Sequence, residues 1–414
     1  MVPDELQPLE SLLAQHRAYR ADSLNLIASE NIPSPLVESL ISEDLQRRYG
    51  NYIGIDLQNR HYQGNRHIAQ IEEYTHRLGR ELFNAAHIDL RPLSGNVAGL
   101  AATFGLGHPG DTVLEVDNGH RYAHKLAQSN LQIDLNSISI PWDDMRSNID
   151  LEATVDLIAE HKPRILIIGS GIFLFPQPVE ALRQALDLHS PGAHLIYDAA
   201  HVLGLIAGGQ FQNPLAEGAD VIVSSTHKTF AGPQGGLILS NSREHAALIG
   251  PALAPLIASN HHLGRLPALA ATFWEWQTYG DAHARAIIDN AKALGQALSE
   301  RNIRLLAGDL GFTESHTLIL AINEFGDSKA VANRLETCGI ITGGADVPDQ
   351  LGKHGLRVGV QELTRTGMEP KDAIDIAACI SAALHGEKPN QVAKRTKALA
   401  GRFRAMRFTT ETNT

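Results

Sequence analysis

The chain has 414 residues, 43% hydrophobic, 20% charged and 5% aromatic, with a formal net charge of −11. That length suits two domains plus terminal arms, and the acidic balance argues against a general nucleic-acid binder, whose footprint is basic. No apolar run approaches the ~18 residues of a membrane helix, MVPDELQPLESLLAQHRAYRADS lacks the basic start and apolar core of a signal peptide, and Cys338 and Cys379 form neither a disulfide framework nor a CxxC, so a cytoplasmic protein without a metal site is expected.

In chain order, residues 1–45 read as a polar helix and an extended arm, with Pro33 and Pro35 breaking helix there. Apolar residues three and four apart predict a helix at 68–83. The segment 46–280 then reads as a large domain. Its β-branched runs at 112–116, 165–169, 194–197, 221–224 and 236–239 are interleaved with helical stretches at 151–160 and 179–188. Such alternation implies crossover connections and a mainly parallel sheet flanked by helices, an α/β fold with ligands beyond the carboxyl ends of the strands. Ser170, Asp198 and Thr226-His227-Lys228 each follow a strand. The register changes near Asp281, where a helix at 285–300 leads into a smaller α+β domain (281–390) with a strand at 316–322 and a helix at 370–384, ended by Gly386 and Pro389. The tail, 391–414, carries Lys394, Arg395, Lys397, Arg402, Arg404 and Arg407 beside a stripe of Val392, Leu399, Phe403 and Met406. It reads as a packed helix with a solvated basic face in preference to an RNA-binding tail.

Three segments carry candidate chemistry. In STHKTFAGPQGG (225–236), Lys228 is flanked by Ser225, Thr226 and His227 and followed by a Gly-Pro turn that lets backbone approach a bulky ring. An amine there can form a Schiff base once burial and nearby charge lower its pKa. In LIYDAAHVLGL, Asp198 ends an apolar strand and suits either a helix cap or the partner of a pyridinium nitrogen, with His201 three residues on. In PLSGNVAGLAA, Ser94, Gly95 and Asn96 open a small-residue helix whose N-terminus can bind an anion such as a phosphate. Anion site, ring-nitrogen Asp and Schiff-base Lys occur in the order that a fold-type-I pyridoxal-phosphate enzyme requires.

LIASEN (26–31), GDTVL (110–114), YDAAH (197–201), THKTFAGPQGG (226–236) and LRVGVQELTRTGM (356–368) resemble the serine hydroxymethyltransferase family over about residues 20–385. GPQGG, FLFPQP and SNHH look closest to its archaeal-type branch. The resemblance implies a seven-stranded central sheet and pyridoxal phosphate joined to Lys228. Asp198 would hold the ring nitrogen, His201 the phenolic side, and Ser94, Gly95 and Asn96 the phosphate, with Ser170, Ser225 and His227 lining the cofactor. His120 would stack on the ring, with His124 a rival. Arg357, helped by Ser29, would grip the substrate carboxylate, which a planar guanidinium binds bidentately. Tyr62 and Thr226 would sit among the catalytic groups, and Tyr49 would reach a neighbouring subunit's cofactor, implying a homodimer.

Two segments depart from the family. Where its loop reads like RYAEGYPGxRYYGG, this chain has RYGNYIGIDLQNRHYQGN (48–65), about three residues longer, with Asn51 at the place of the Glu. Asn does not titrate, so general acid–base work there is lost unless Asp56 substitutes by an inward fold of the loop. The family's HGGH segment becomes NGHRYAHK (118–125). Both lie near the folate position of the family. The reading is therefore folate-independent aldol or transaldolase chemistry on a β-hydroxy amino acid, with an aldehyde partner. A true pterin-dependent hydroxymethyltransferase, and a specialised enzyme doing β-elimination, decarboxylation or transamination, stay open as alternatives. Retention of Lys228, Asp198 and Arg357 argues against a non-catalytic homologue.

Overall fold

The computed structural model describes residues 3–129 and 133–410. The chain forms two compact units, one of residues 31–285 and 408–414 and one of residues 1–30 and 286–407. The first helix, α1 (Gln7–Ala21), belongs to the second of these; it buries no residue, and Leu9, Leu12 and Leu13 on it are exposed.

The larger unit is built on a seven-stranded sheet. Its elements are α2 (Arg66–Phe83), β1 (His87–Asp89), α3 (Gly95–Leu106), β2 (Thr112–Val116), α4 (Tyr122–Ala127), β3 (Asn136–Ile140), α5 (Leu151–His161), β4 (Ile165–Ile168), α6 (Val179–His189), β5 (His194–Asp198), β6 (Val221–Ser225) and β7 (Gly236–Ser240). The strand order is β1-β7-β6-β5-β4-β2-β3. Strands β2 to β6 run parallel to their neighbours among themselves, and β7 is antiparallel to both β6 and β1. Helices cover both faces of a parallel sheet, so its central strands are unbroken apolar runs. ILII, HLIYD and VIVSS are buried at every position. Each of the five predicted β-runs is a strand. The two that were not predicted, HID and NSISI, are a short edge strand and an edge strand exposed at its start.

The division between the two units falls at 285/286, close to the expected change near Asp281, but inside a helix and not at its start. One helix, α7 (Leu266–Ser299), begins nineteen residues before the expected start at 285. Leu266, Ala268, Leu269, Phe273 and Trp276 are all buried, so the first half is apolar on more than one face and its amphipathic period is hidden.

In the smaller unit, β8 (Thr317–Ala321), β9 (Gly343–Asp346) and β10 (His354–Gly359) form an antiparallel sheet in the order β8-β10-β9. The N-terminal arm is part of this unit up to Glu30 and not a separate segment ending at 45. Leu24–Asn25 pairs in parallel with Ile340–Ile341. Gly359 N donates to Leu26 O at 2.9 Å, and Gln361 Nε2 donates to the carbonyls of Ile27 (2.8 Å) and Glu30 (2.6 Å). The helix predicted at 370–384 is present as α8 (Ala373–Leu384) after a short turn. In the tail, α9 (Pro389–Ala400) is shorter than the apolar stripe suggested, yet Val392, Leu399 and Phe403 are buried. Its basic groups go to intramolecular ion pairs: Lys397 with Asp22, Arg395 with Glu387, and Arg402 with Asp372 and Asp375.

Candidate active site

The parallel strands deliver their useful side chains to one end of the sheet. Asp198, the last residue of β5, is 3% exposed and lies opposite Val223 of β6. The chain leaves β6 at Ser225 and turns at once through Thr226, His227 and Lys228. That turn holds itself together: Thr226 Oγ1 donates to Pro233 O (2.6 Å), Thr226 N to Gly235 O (3.0 Å) and Gly232 N to Thr226 O (2.8 Å). The hydroxyl of Thr226, expected among the catalytic groups, is therefore committed to the turn that presents Lys228. Lys228 is half-buried. Burial pushes the Asp198 carboxyl upward, but the His120 hydrogen bond and charge and the Lys228 ammonium outweigh it and hold Asp198 below the usual carboxylate range. His227 is lowered by burial and by the charge of Lys228.

Helix α3 ends against the same corner. Ser94 caps it, accepting from Val97 N at 3.2 Å. A Cβ on Gly95 would come within 2.9 Å of Ser225 N, so only glycine lets the helix N-terminus press against the end of β6. Asn96 is exposed on the first turn. Ser170 is buried after β4, its Oγ accepting from Ile172 N (2.9 Å), and Ser225 Oγ donates to Ala200 O (3.3 Å). His201 is buried, with its carbonyl taking the Thr229 hydroxyl at 2.9 Å.

His120 Nδ1 lies 2.5 Å from Asp198 Oδ2. Its rival His124 instead meets Arg121 (3.0 Å) and, through its backbone N–H, Glu115 Oε1 (2.6 Å). Tyr122, which the sequence reading passed over, donates its hydroxyl to the same Asp198 Oδ2 at 2.7 Å. Buried Glu115 was also passed over; it accepts from the backbone of Ala123 and His124 and from the Ser137 hydroxyl, fixing the start of α4. The only signal for either lay in the departure of NGHRYAHK from the family spelling.

A buried carboxylate held ionised, a half-buried amine on the adjoining strand and a helix N-terminus with a serine cap are the donor set that a phosphorylated pyridine aldehyde requires. The residues fit that group.

The loop at 48–65 lies elsewhere. Tyr52, Ile55 and Leu57 close a cavity of about 80 Å³ with His76, His87, Asp89, Arg91 and Ser240. The cavity lies along edge strand β1, where His87 pairs with Ser240 and Asp89 with Ile238, three strands across the sheet from Asp198. Asp56 is exposed and accepts from Gln58 N at 2.9 Å, capping its own turn. The longer loop does not fold inward, because its apolar residues are claimed by this cavity, and Asp56 does not replace the missing Glu within its own chain. Asn51 donates to the carbonyl of Ser259. Tyr49 and Tyr62 are 54% and 52% exposed and meet edge to face at 5.5 Å. They line a surface concavity with Arg47, Arg48 and Ile71.

In the smaller unit, Arg357 sits on the central strand β10, between Ile319 and Gly343, half-buried and lowered in pKa by that burial. Ser29 lies on the arm that Gly359 and Gln361 clamp.

A family model for serine hydroxymethyltransferase matches residues 4–380. The chain is 40% identical to the serine hydroxymethyltransferase of Methanobrevibacter smithii, over 91% of this chain and 90% of that one. It is 39% identical to that of Saccharolobus solfataricus, over 91% and 88%. The crystal structure of an L-threonine transaldolase from Pseudomonas fluorescens is similar, with a TM-score of 0.90 and 29% identity over 98% of this chain and 93% of that one. With the cofactor corner intact and the match running almost end to end, the chain belongs to the serine hydroxymethyltransferase family and is a pyridoxal-phosphate enzyme of the hydroxymethyl or aldol type.

Proposed function

We propose that the enzyme makes or breaks the Cα–Cβ bond of a β-hydroxy amino acid without folate, passing an aldehyde to or from glycine. The observation that supports this is a contrast: Lys228, Asp198 and the α3 N-terminus gather at one corner, whereas Asn51 stands where the family has its acid and Asp56 is exposed in the single chain. Bound pyridoxal phosphate supplies an electron sink for a carbanion at Cα. Ser94 and the first N–H groups of α3 would hold its phosphate, and Asp198 its ring nitrogen. Arg357 and Ser29 would bind the amino-acid carboxylate. Lys228 Nζ would carry the cofactor and, as a free amine, would move the proton at Cα. Tyr49 and Tyr62, exposed in a single chain, act across a homodimer, and the bare leucines of α1 support such an assembly. A cytoplasmic setting is in keeping with two buried free cysteines and, among the described residues, no helix long and apolar enough to cross a membrane.

The test is an absorbance spectrum with amino acids added singly, together with an assay for released aldehyde. Aldehyde from threonine or serine without pterin supports the proposal; release that requires added pterin replaces it with hydroxymethyltransferase activity, the reading that the names of the archaeal relatives favour.

A further inference from the structure

Tyr122 is buried and occupies a built position. A Cβ added to Gly99 of α3 would fall 2.0 Å from its Cζ and 2.3 Å from its Cε2, so the phenol end of the ring lies on the bare backbone of the helix that ends at the phosphate corner. Beside it is the imidazole of His120, stacked at 5.6 Å and 13°. Its hydroxyl reaches Asp198 Oδ2 at 2.7 Å, the oxygen that His120 Nδ1 also contacts. The other oxygen, Oδ1, accepts from Ala200 N at 3.0 Å. The carboxylate expected to hold the ring nitrogen is thus already bonded by three groups.

We propose that Tyr122 is a positioning residue that weakens and aims the grip of Asp198 on the cofactor's ring nitrogen, and that Gly99 is present to seat it. The inference rests on the assignment of pyridoxal phosphate to this corner. A neutral O–H donated to a carboxylate draws off part of the negative charge that a ring N–H would otherwise meet, and does so strongly where water is excluded. Burial and the charge of Asp198 keep the phenol protonated, so it acts only as a donor. The charged or titrating groups around the pair are His120, Lys228 and Glu115. None of them replaces a donor at this position when the hydroxyl is removed. Tyr122 also ties the end of β5 to α3, which fixes the spacing between the ring-nitrogen and phosphate ends of the site.

The test compares the loaded wild-type protein with Tyr122→Phe, which keeps the ring on Gly99 and beside His120, and with Tyr197→Phe. Tyr197 precedes Asp198 in β5 and is also buried, but its hydroxyl donates to Gln212 at 2.8 Å, so its loss is the structural control. The readout is the pH midpoint of the cofactor's visible absorbance. Without the Tyr122 donor, Asp198 holds the ring proton more firmly, the ring withdraws more electron density, and the midpoint moves to lower pH by about 0.5–1 unit. Tyr197→Phe leaves it in place. Gly99→Ala, which displaces the phenol, moves it in the same direction as Tyr122→Phe. An unchanged midpoint in Tyr122→Phe, or an equal shift in Tyr197→Phe, overturns the proposal while leaving the cofactor assignment standing. A wild-type protein without any visible band after incubation with pyridoxal phosphate removes the assignment itself, and this inference with it.

Discussion

Two corners of the large sheet, one at the carboxyl end of β5 and β6 and one along edge strand β1, use the same polar vocabulary to opposite effect. At the carboxyl end, Asp198 gathers His120, Tyr122 and Ala200 N, and a half-buried amine follows on the next strand. Along edge strand β1, Glu72 is fully buried between Arg60 and His261 (2.8 Å each), and Asp89, level with Asp198 but three strands away, is paired with Arg91, whose guanidinium lies 4.3 Å above the Tyr52 ring. Perturbed ionisation occurs at both corners, so it does not by itself mark a site. The difference is closure. Along β1 each of these carboxylates has a cation on it and residues of the 48–65 loop close the cavity beside them; at the other corner His120 and Lys228 stay half-buried.

The sharpest break of that comparison is Lys228→Ala. It should abolish the visible band near ~420 nm and lower activity by about 10³-fold or more, with folding unaffected. Glu72→Gln should do the reverse. It leaves Arg60 and His261 facing an uncharged partner in a dry site, and removing one member of a buried pair costs about 3–5 kcal/mol. Urea unfolding should register that loss while the cofactor spectrum is unchanged. A normal midpoint in urea would mean that water reaches the cluster.

Acid should attack the β1 edge as well. Burial, with Arg80 and Arg91 adding to it and Glu72 and Asp89 opposing, lowers His76 from 6.5 to about 4. The unfolded chain therefore binds the proton first. The stability contribution is complete above pH 6.5 and declines as pH falls towards 4, by about 3 kcal/mol over the whole window. His194 titrates in the same direction and window, so His76→Gln should remove only its own share of the slope, read as melting temperature between pH 7.5 and 4.5. A slope unchanged by His76→Gln would place that sensitivity elsewhere. A smaller effect is expected on α1. Leu9→Ser with Leu12→Ser should barely alter the stability of the single chain, because both side chains are exposed in it, yet weaken a dimer by about 1.5–3 kcal/mol per leucine that the partner buries. Sedimentation of the variant as an unchanged dimer would put the interface elsewhere.

Much of the carboxyl end was legible in the sequence because strand-end chemistry is local. A β-branched run followed by Asp198, and another followed by Thr226-His227-Lys228, needs only period and position to be read. Tyr122 was not legible, since its role depends on a bare Gly99 on another element and on an oxygen of a third. The same reason hid the Glu72 cluster, whose partners are 12 and 189 residues away. The start of α7 was lost because burial on several faces erased its period.

Asp56 is where the sequence and the single-chain fold differ, and it gives the smallest predicted effect. The sequence offered a carboxylate five residues beyond Asn51 in a lengthened loop, which looked like a relocated acid. The fold spends the added length on Tyr52, Ile55 and Leu57, which line the cavity along β1, and the turn between the last two leaves Asp56 in water with Gln58 N. Asp56→Asn keeps an acceptor oxygen for that turn, so stability should move by less than about 0.5 kcal/mol and activity by less than about twofold. Leu57→Ala should loosen the loop and lower stability more than Asp56→Asn does. A large loss of activity in Asp56→Asn at unchanged stability would show that the exposed loop works on the neighbouring subunit's site, and the two corners of the sheet would then be joined through the dimer.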